Sequence, residues 1–381
     1  MYFCIFTATR RGRMLLRYEM KKQLEKPFCF IAAACCAVFN IIFMLRWAYP
    51  LDNINMQSKI VRQLGTVYVT DENSALITDP EMKRIIDEHT SGYILGRESA
   101  IYILQNTVKM GMFDLVGEQA ELVHKLSDER LAERFEEMSE TKELTAINGG
   151  DDLFQVVFLG MVQLTVIESI LFAILIAAKT AGHEFSNHAE QVIYTTRKGR
   201  GIMRTKLAAA SILTVGFCLS VFALSFAVFL LRCPCFELLG APMYLNTERI
   251  FLYTWFYFPV WVYLLLNVMF AIALSEVICL MSFAVFGISR NITATVMLTI
   301  LLLAAGIVIG KTIPPETGYL RLMSYTFPSI QILMSGSRLA VASYVECIPI
   351  CGFDVFSIML WAVFMLVLCA FSMKRFERKY I

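Results

Sequence analysis

LFQVVFLGMVQLTVIESILFAILIAA occupies residues 153–178, and Glu168 is the one charged residue in it. A helix needs only about 20 apolar residues to cross ~30 Å of hydrocarbon. The next stretch, KTAGHEFSNHAEQVIYTTRKGRGIMRTK at 179–206, carries six Lys and Arg residues. An apolar run closed by a basic cluster reads as a membrane span whose cluster stays in the cytoplasm. The same alternation recurs along the chain and decides its fold.

Working outward, comparable apolar runs fill 28–47, 207–231, 264–286, 292–309 and 355–373. With the N-terminus inside, the inner segments are 1–27, 179–206, 287–291 and 374–381. They hold 18 of the 34 basic residues against five acidic ones. The outer loops 232–250 and 311–352 hold two and three basic residues. This asymmetry orients an even number of spans with both termini cytoplasmic in a cell membrane. The run at 28–47 follows a basic segment, 1–27, as a signal peptide's would. It is too long for a signal core and closes on Arg46 and Trp47, so an uncleaved first span is expected. Of 381 residues, 57% are hydrophobic and 17% charged, which excludes a soluble domain of ordinary surface. No domain is basic as a whole, which argues against nucleic acid as a partner.

Two regions need more than a hydropathy count. Apolar sequence runs from about Tyr253 to Gly287, too long for one perpendicular helix. Either 251–263, with Trp255, Phe256, Trp261 and Tyr263, lies at the outer interface before a crossing from Leu264 to Phe286, or one helix is tilted or kinked. Between spans one and two sits an insert, 49–152, with ten basic and twenty acidic residues. Pro80–His89 and Glu118–Lys142 read as amphipathic helices, and Asn148-Gly-Gly-Asp as a turn back to the membrane. The expected fold is therefore an all-α membrane protein: six transmembrane helices with a mostly helical external domain inserted between spans one and two.

Few residues carry chemistry. Ala305–Thr312 (AGIVIGKT) formally fits a relaxed phosphate loop, but such a loop follows a strand, and here the residues end an apolar span. Gly306 and Gly310, four residues apart, fit close helix packing better. His183 and His188 are five residues apart, which turns their rings about 140° away from each other and unsuits them to a shared metal. No catalytic, cofactor or metal site is expected in the chain. Glu168 and Glu276 are intramembrane carboxylates, which are costly and hence candidates for function; the alternative is a hydrogen bond to a neighbouring helix. Cys233, Cys235, Cys347 and Cys351 fall in outer segments, where disulfides between the two loops are open to them.

Gly182, Glu184, Phe185, Thr195, Thr196, Arg200 and Lys206 stand at matching positions of the loop after span two in type-2 ABC transporter permeases. The chain resembles that family in this loop, in its six-span plan, in its external insert and in its basic tail. Lys198-Gly199 departs from the Pro or small residues found there in many relatives. The resemblance implies that 179–206 is a coupling helix seated on a cytoplasmic ABC ATPase subunit. Glu184 and Phe185 would contact that partner, Arg197, Arg200 and Arg204 would hold phosphate headgroups or acidic residues of the ATPase, and Lys206 counts among the coupling residues; a plain interfacial helix held by anionic lipid is the alternative. It also implies a second permease copy, as homodimer or heterodimer, and a re-entrant external segment over 319–344. ATP and Mg would be bound by the partner subunit and none by this chain, with membrane lipids as the remaining partners.

The function that follows is an exporter permease moving an amphipathic peptide, drug-like compound or lipid. Two alternatives stay open. One is a membrane-anchored sensor or scaffold using the external domain; the other is a proton-coupled carrier using Glu168 and Glu276.

Overall fold

The structure, a computed structural model, describes residues 10–25, 27–46, 48–87, 146–147, 149–186, 202–243, 245–246, 251–252, 258–313, 323–333 and 353–379. Most of the insert lies outside these residues, including the amphipathic stretch Glu118–Lys142. So do Thr195, Thr196, Arg197, Arg200, Cys347 and Cys351.

Among the described residues, six helices are each long and apolar enough to cross a bilayer, so the chain has the architecture of a multi-pass membrane protein. A basic helix α1 (Arg10–Leu24) precedes α2 (Phe28–Arg46), and α3 (Ala48–Leu64) leads into the insert. A single turn, α4 (Asp71–Ser74), is closed by a capping box in which Thr70 and Asn73 each accept from the other's backbone N–H. The long helix α5 has three parts: Gly150–Leu153, a π-wound stretch Phe154–Val162, and Gln163–Ser186. Next come α6 (Ile202–Arg232) and the single turn α7 (Phe236–Leu239). A two-residue antiparallel pair joins β1 (Leu245–Asn246) to β2 (Phe251–Leu252), and isolated bridges link Tyr68 to Ala146 and Pro242 to Pro259. Then follow α8 (Val260–Ser289), α9 (Ile292–Thr312), the short α10 (Pro328–Leu333) and α11 (Phe353–Lys379).

Pro259 settles how the fourth span begins. It has no N–H to leave unpaired and a φ of −68°, so it fits directly ahead of a first helical turn. Helix α8 therefore starts at Val260, with Trp261 and Tyr263 in its first turn. At 30 residues it is about 45 Å long, more than a bilayer's hydrocarbon thickness.

Helices α5 and α8 form the centre, with 72% of each apolar window buried; α2 and α9 bury 11% and lie at the periphery. That matches their sequences, since a helix apolar all round is either fully packed or faces lipid. An aromatic column ties α2 to the centre: Phe28 stacks on Phe172 at 6.1 Å, and Phe172 on Phe217 of α6 at 3.8 Å. Gly310 of α9 admits α10, since a Cβ there would sit 2.9 Å from Ile330 Cδ1, and one at Gly306 would strike Ser329. Helix α10 is sunk into the bundle. Gln163 of α5 donates to Leu333 O at 2.9 Å, and Phe327 packs edge-on to Trp361 of α11 at 5.8 Å.

The two ends of the bundle differ. One gathers α1, the last turns of α5, the start of α6, the α8–α9 corner and the last turns of α11. Contacts that fix it include Phe185 with Phe286 (5.4 Å between rings) and Ser372 Oγ donating to Ala284 O at 3.2 Å. Arg290, in the left-handed region at φ 55°, and Asn291, whose side chain accepts from Ala294 N–H at 3.1 Å, turn the chain between α8 and α9. The opposite end holds α3, α7 and the root of the insert, where Ile147 N–H bonds Val67 O at 2.7 Å.

Candidate functional site

At the α1 end, sequence spacing builds an ionic cluster. Glu19, Lys22 and Gln23 lie three and four residues apart, on one face of α1. Glu19 is 2% exposed and Gln23 is fully buried, whereas Met14 and Tyr18 stay exposed. Lys22 Nζ donates to Glu184 Oε1 at 3.0 Å, and Lys206 of α6 pairs with Glu184 Oε2. Glu184 is 3% exposed and Lys206 0%. One carboxylate on α5 thus holds two ammonium groups from two other helices. A buried ion pair persists only where its geometry offsets the desolvation of both charges, and removing one partner strands the other.

This cluster shapes the segment expected to be the coupling loop. Residues 179–186 continue α5 rather than starting a separate helix, because no residue after Ala178 breaks the helical pattern. The Glu184–Lys206 pair holds the end of α5 beside the start of α6. Phe185 is turned inward, edge-on to Phe286. Gly182 permits this approach, since a Cβ there would lie 2.9 Å from the Phe286 ring. Of the expected docking residues, Glu184, Phe185 and Lys206 therefore make contacts within the chain. Arg204 is exposed on the first turn of α6, and Arg197 and Arg200 fall outside the described residues.

The two intramembrane carboxylates sit in different surroundings. Glu168 of α5 accepts from Asn40 Nδ2 of α2 at 2.9 Å, and Asn40 also donates to Cys36 O at 2.8 Å. Glu276 of α8 accepts from Ser211 of α6, with the thiols of Cys218 and Cys279 nearby. Its Oε1 is buried and has no hydrogen-bond partner among the described residues. The residue as a whole is only part-buried, so it is not sealed from its surroundings.

At the opposite end, Cys233 and Cys235 are free, buried thiols flanking Pro234. Their mutual hydrogen bond, with burial adding to it, pushes the Cys233 thiol up, and Cys233 Sγ also donates to Leu51 O at 3.8 Å. Glu237 of α7 accepts from Ser58 at 2.7 Å and pairs with Arg62 at 2.7 Å, which joins α7 to α3. The Ser58 bond first, and Arg62 with it, holds the Glu237 carboxyl below the usual carboxylate range.

Sequence reasoning missed the part played by Lys22 and Asn40 and the burial of Glu19 and Gln23. The signal was present: an acidic residue and an amide one turn apart on a basic helix, and a lone Asn inside an apolar run. Comparisons with protein-family models, with curated proteins and with solved structures yield no match to this chain.

Proposed function

We propose that the chain is the permease subunit of an ATP-driven ABC exporter, moving an amphipathic substrate with a separate ATPase subunit. The observation that carries this reading is the ionic cluster on Glu184. It binds α1, α5 and α6 into one unit and holds both ends of the 179–206 segment together. A motor that pushes on 187–201 would then move α5, α6 and α1 as a body. On this reading the α1 end is cytoplasmic, as its basic residues favour. Arg197, Arg200 and Arg204 are assigned to contact with the ATPase, and Glu184 and Lys206 brace that end of the bundle. ATP and Mg belong to the partner, and a second permease copy completes the pathway.

Arg197→Glu with Arg200→Glu tests this assignment. The double variant is expected to insert in the membrane at normal levels but to lose its ATPase on affinity purification. Retention of the ATPase at wild-type stoichiometry would remove the loop from the docking surface.

A further inference from the structure

Between residues 28–45, 154–178, 207–231, 260–289, 292–310 and 355–373 there is no Lys, Arg or His, and Glu168 and Glu276 are the only acidic residues. The spans therefore contain two carboxylates and no internal cation to balance either. An ionised carboxylate in hydrocarbon is costly unless a positive charge or strong donors meet it. Glu168 has such a donor in Asn40, which is itself fully buried. Glu276 has one hydroxyl, Ser211, and a buried oxygen left over. The titratable groups facing it among the described residues are thiols, Cys218 from α6 and Cys279 from its own helix, and neither supplies positive charge. It lies about 20 Å along the helix axis from the C-terminal end of α8, deep within the span.

We propose that Glu276 is a binding site for the positively charged group of an amphipathic cargo. The free Oε1 takes the cation, Ser211 holds the other side of the carboxyl group, and the apolar walls of α6 and α8 take the cargo's hydrophobic body. Glu168 is a packing group in this scheme, because Asn40 already occupies it. This inference rests on the transport reading for its cargo, but binding can be measured without the ATPase. A failure here leaves the proposed partnership standing, and loss of the partnership leaves binding intact.

The full chain in neutral-lipid nanodiscs can be dialysed against tetraphenylphosphonium and tetraphenylborate, which share size and shape but carry opposite charge. Saturable binding of the cation alone is expected. Glu276→Gln should weaken it at least about tenfold, since a desolvated charge pair becomes a neutral contact. Glu276→Asp should retain most of the affinity, and Glu168→Gln should change it less than about twofold. Equal binding of cation and anion, or unchanged affinity in Glu276→Gln, would overturn the proposal. Titration of Glu276 with no phosphonium binding would do so too, since it makes the residue a proton site only. If Glu276→Gln does not purify as a single species, the cation–anion comparison on the native chain decides.

Discussion

Glu184 and Glu276 are the same side chain in opposite situations. Glu184 ends α5 and is held by two lysines from two other helices, so its charge is balanced inside the chain. Glu276 lies mid-span in α8 with a single hydroxyl and a buried oxygen without a partner among the described residues. The first is a joint and the second is a vacancy for positive charge. A balanced carboxylate stabilises the fold around it; an unbalanced one costs stability and is retained for what it binds. Glu168, bonded to Asn40, stands between the two.

Substitution should separate them, and Glu184→Ala should have the largest effect. It leaves Lys206 buried without its partner, so a loss of about 3–5 kcal/mol of apparent stability is expected, read as a lowered thermal midpoint in detergent. Adding Lys206→Met should restore a good part of that loss; a double variant as unstable as the two single losses combined would show that the groups are not coupled. Glu168→Leu should cost about 1–3 kcal/mol by leaving the Asn40 amide short of one acceptor. Glu276→Gln should leave the midpoint within about 1 kcal/mol or raise it, because the substitution removes a desolvated acid and leaves an amide that Ser211 can still meet. If Glu276→Gln destabilised as strongly as Glu184→Ala, the contrast between joint and vacancy would collapse.

The smallest effect concerns Glu237, a surface counterpart to Glu184. Its carboxyl is held below the ordinary range by Ser58 and Arg62. A lowered value in the folded chain means that the link contributes fully above the ordinary glutamate value of about 4.3 and is lost as pH falls through the lowered one. Amide exchange over residues 58–64, corrected for its intrinsic pH dependence, should therefore rise on acidification and lose that rise in Glu237→Gln. Exchange that stays flat with pH in the native chain would mean that Glu237 does not fasten α7 to α3.

Much of the architecture was readable because hydropathy and charge act over whole segments. The run at 153–178 could scarcely be anything but a span, and its basic sequel marked one end of the bundle. Boundaries were harder. Pro259 places the start of α8 at Val260, which the apolar run from Tyr253 to Gly287 does not mark. Helix α5 runs past the hydrophobic limit at Ala178 to Ser186, because its last turns are packed against α8 and pinned by lysines rather than solvated. The site was only half legible. Glu168 and Glu276 stand out in any apolar run, but what divides them is a donor from α2, 128 residues away from Glu168 in the chain. Likewise nothing local to Glu184 announces Lys22, and a reading of one segment at a time treats both as surface charges.

The central claim is that the Glu184 cluster braces a docking surface for an ATPase. Purifying the chain from its native membrane in mild detergent, and assaying the eluate for ATP hydrolysis, tests it most directly. The account predicts a co-eluting ATPase subunit in fixed ratio to the chain, with hydrolysis lost from the eluate when Arg197 and Arg200 are both replaced by Glu. A chain that elutes without any ATP-hydrolysing partner, from membranes in which it is correctly inserted, would contradict it.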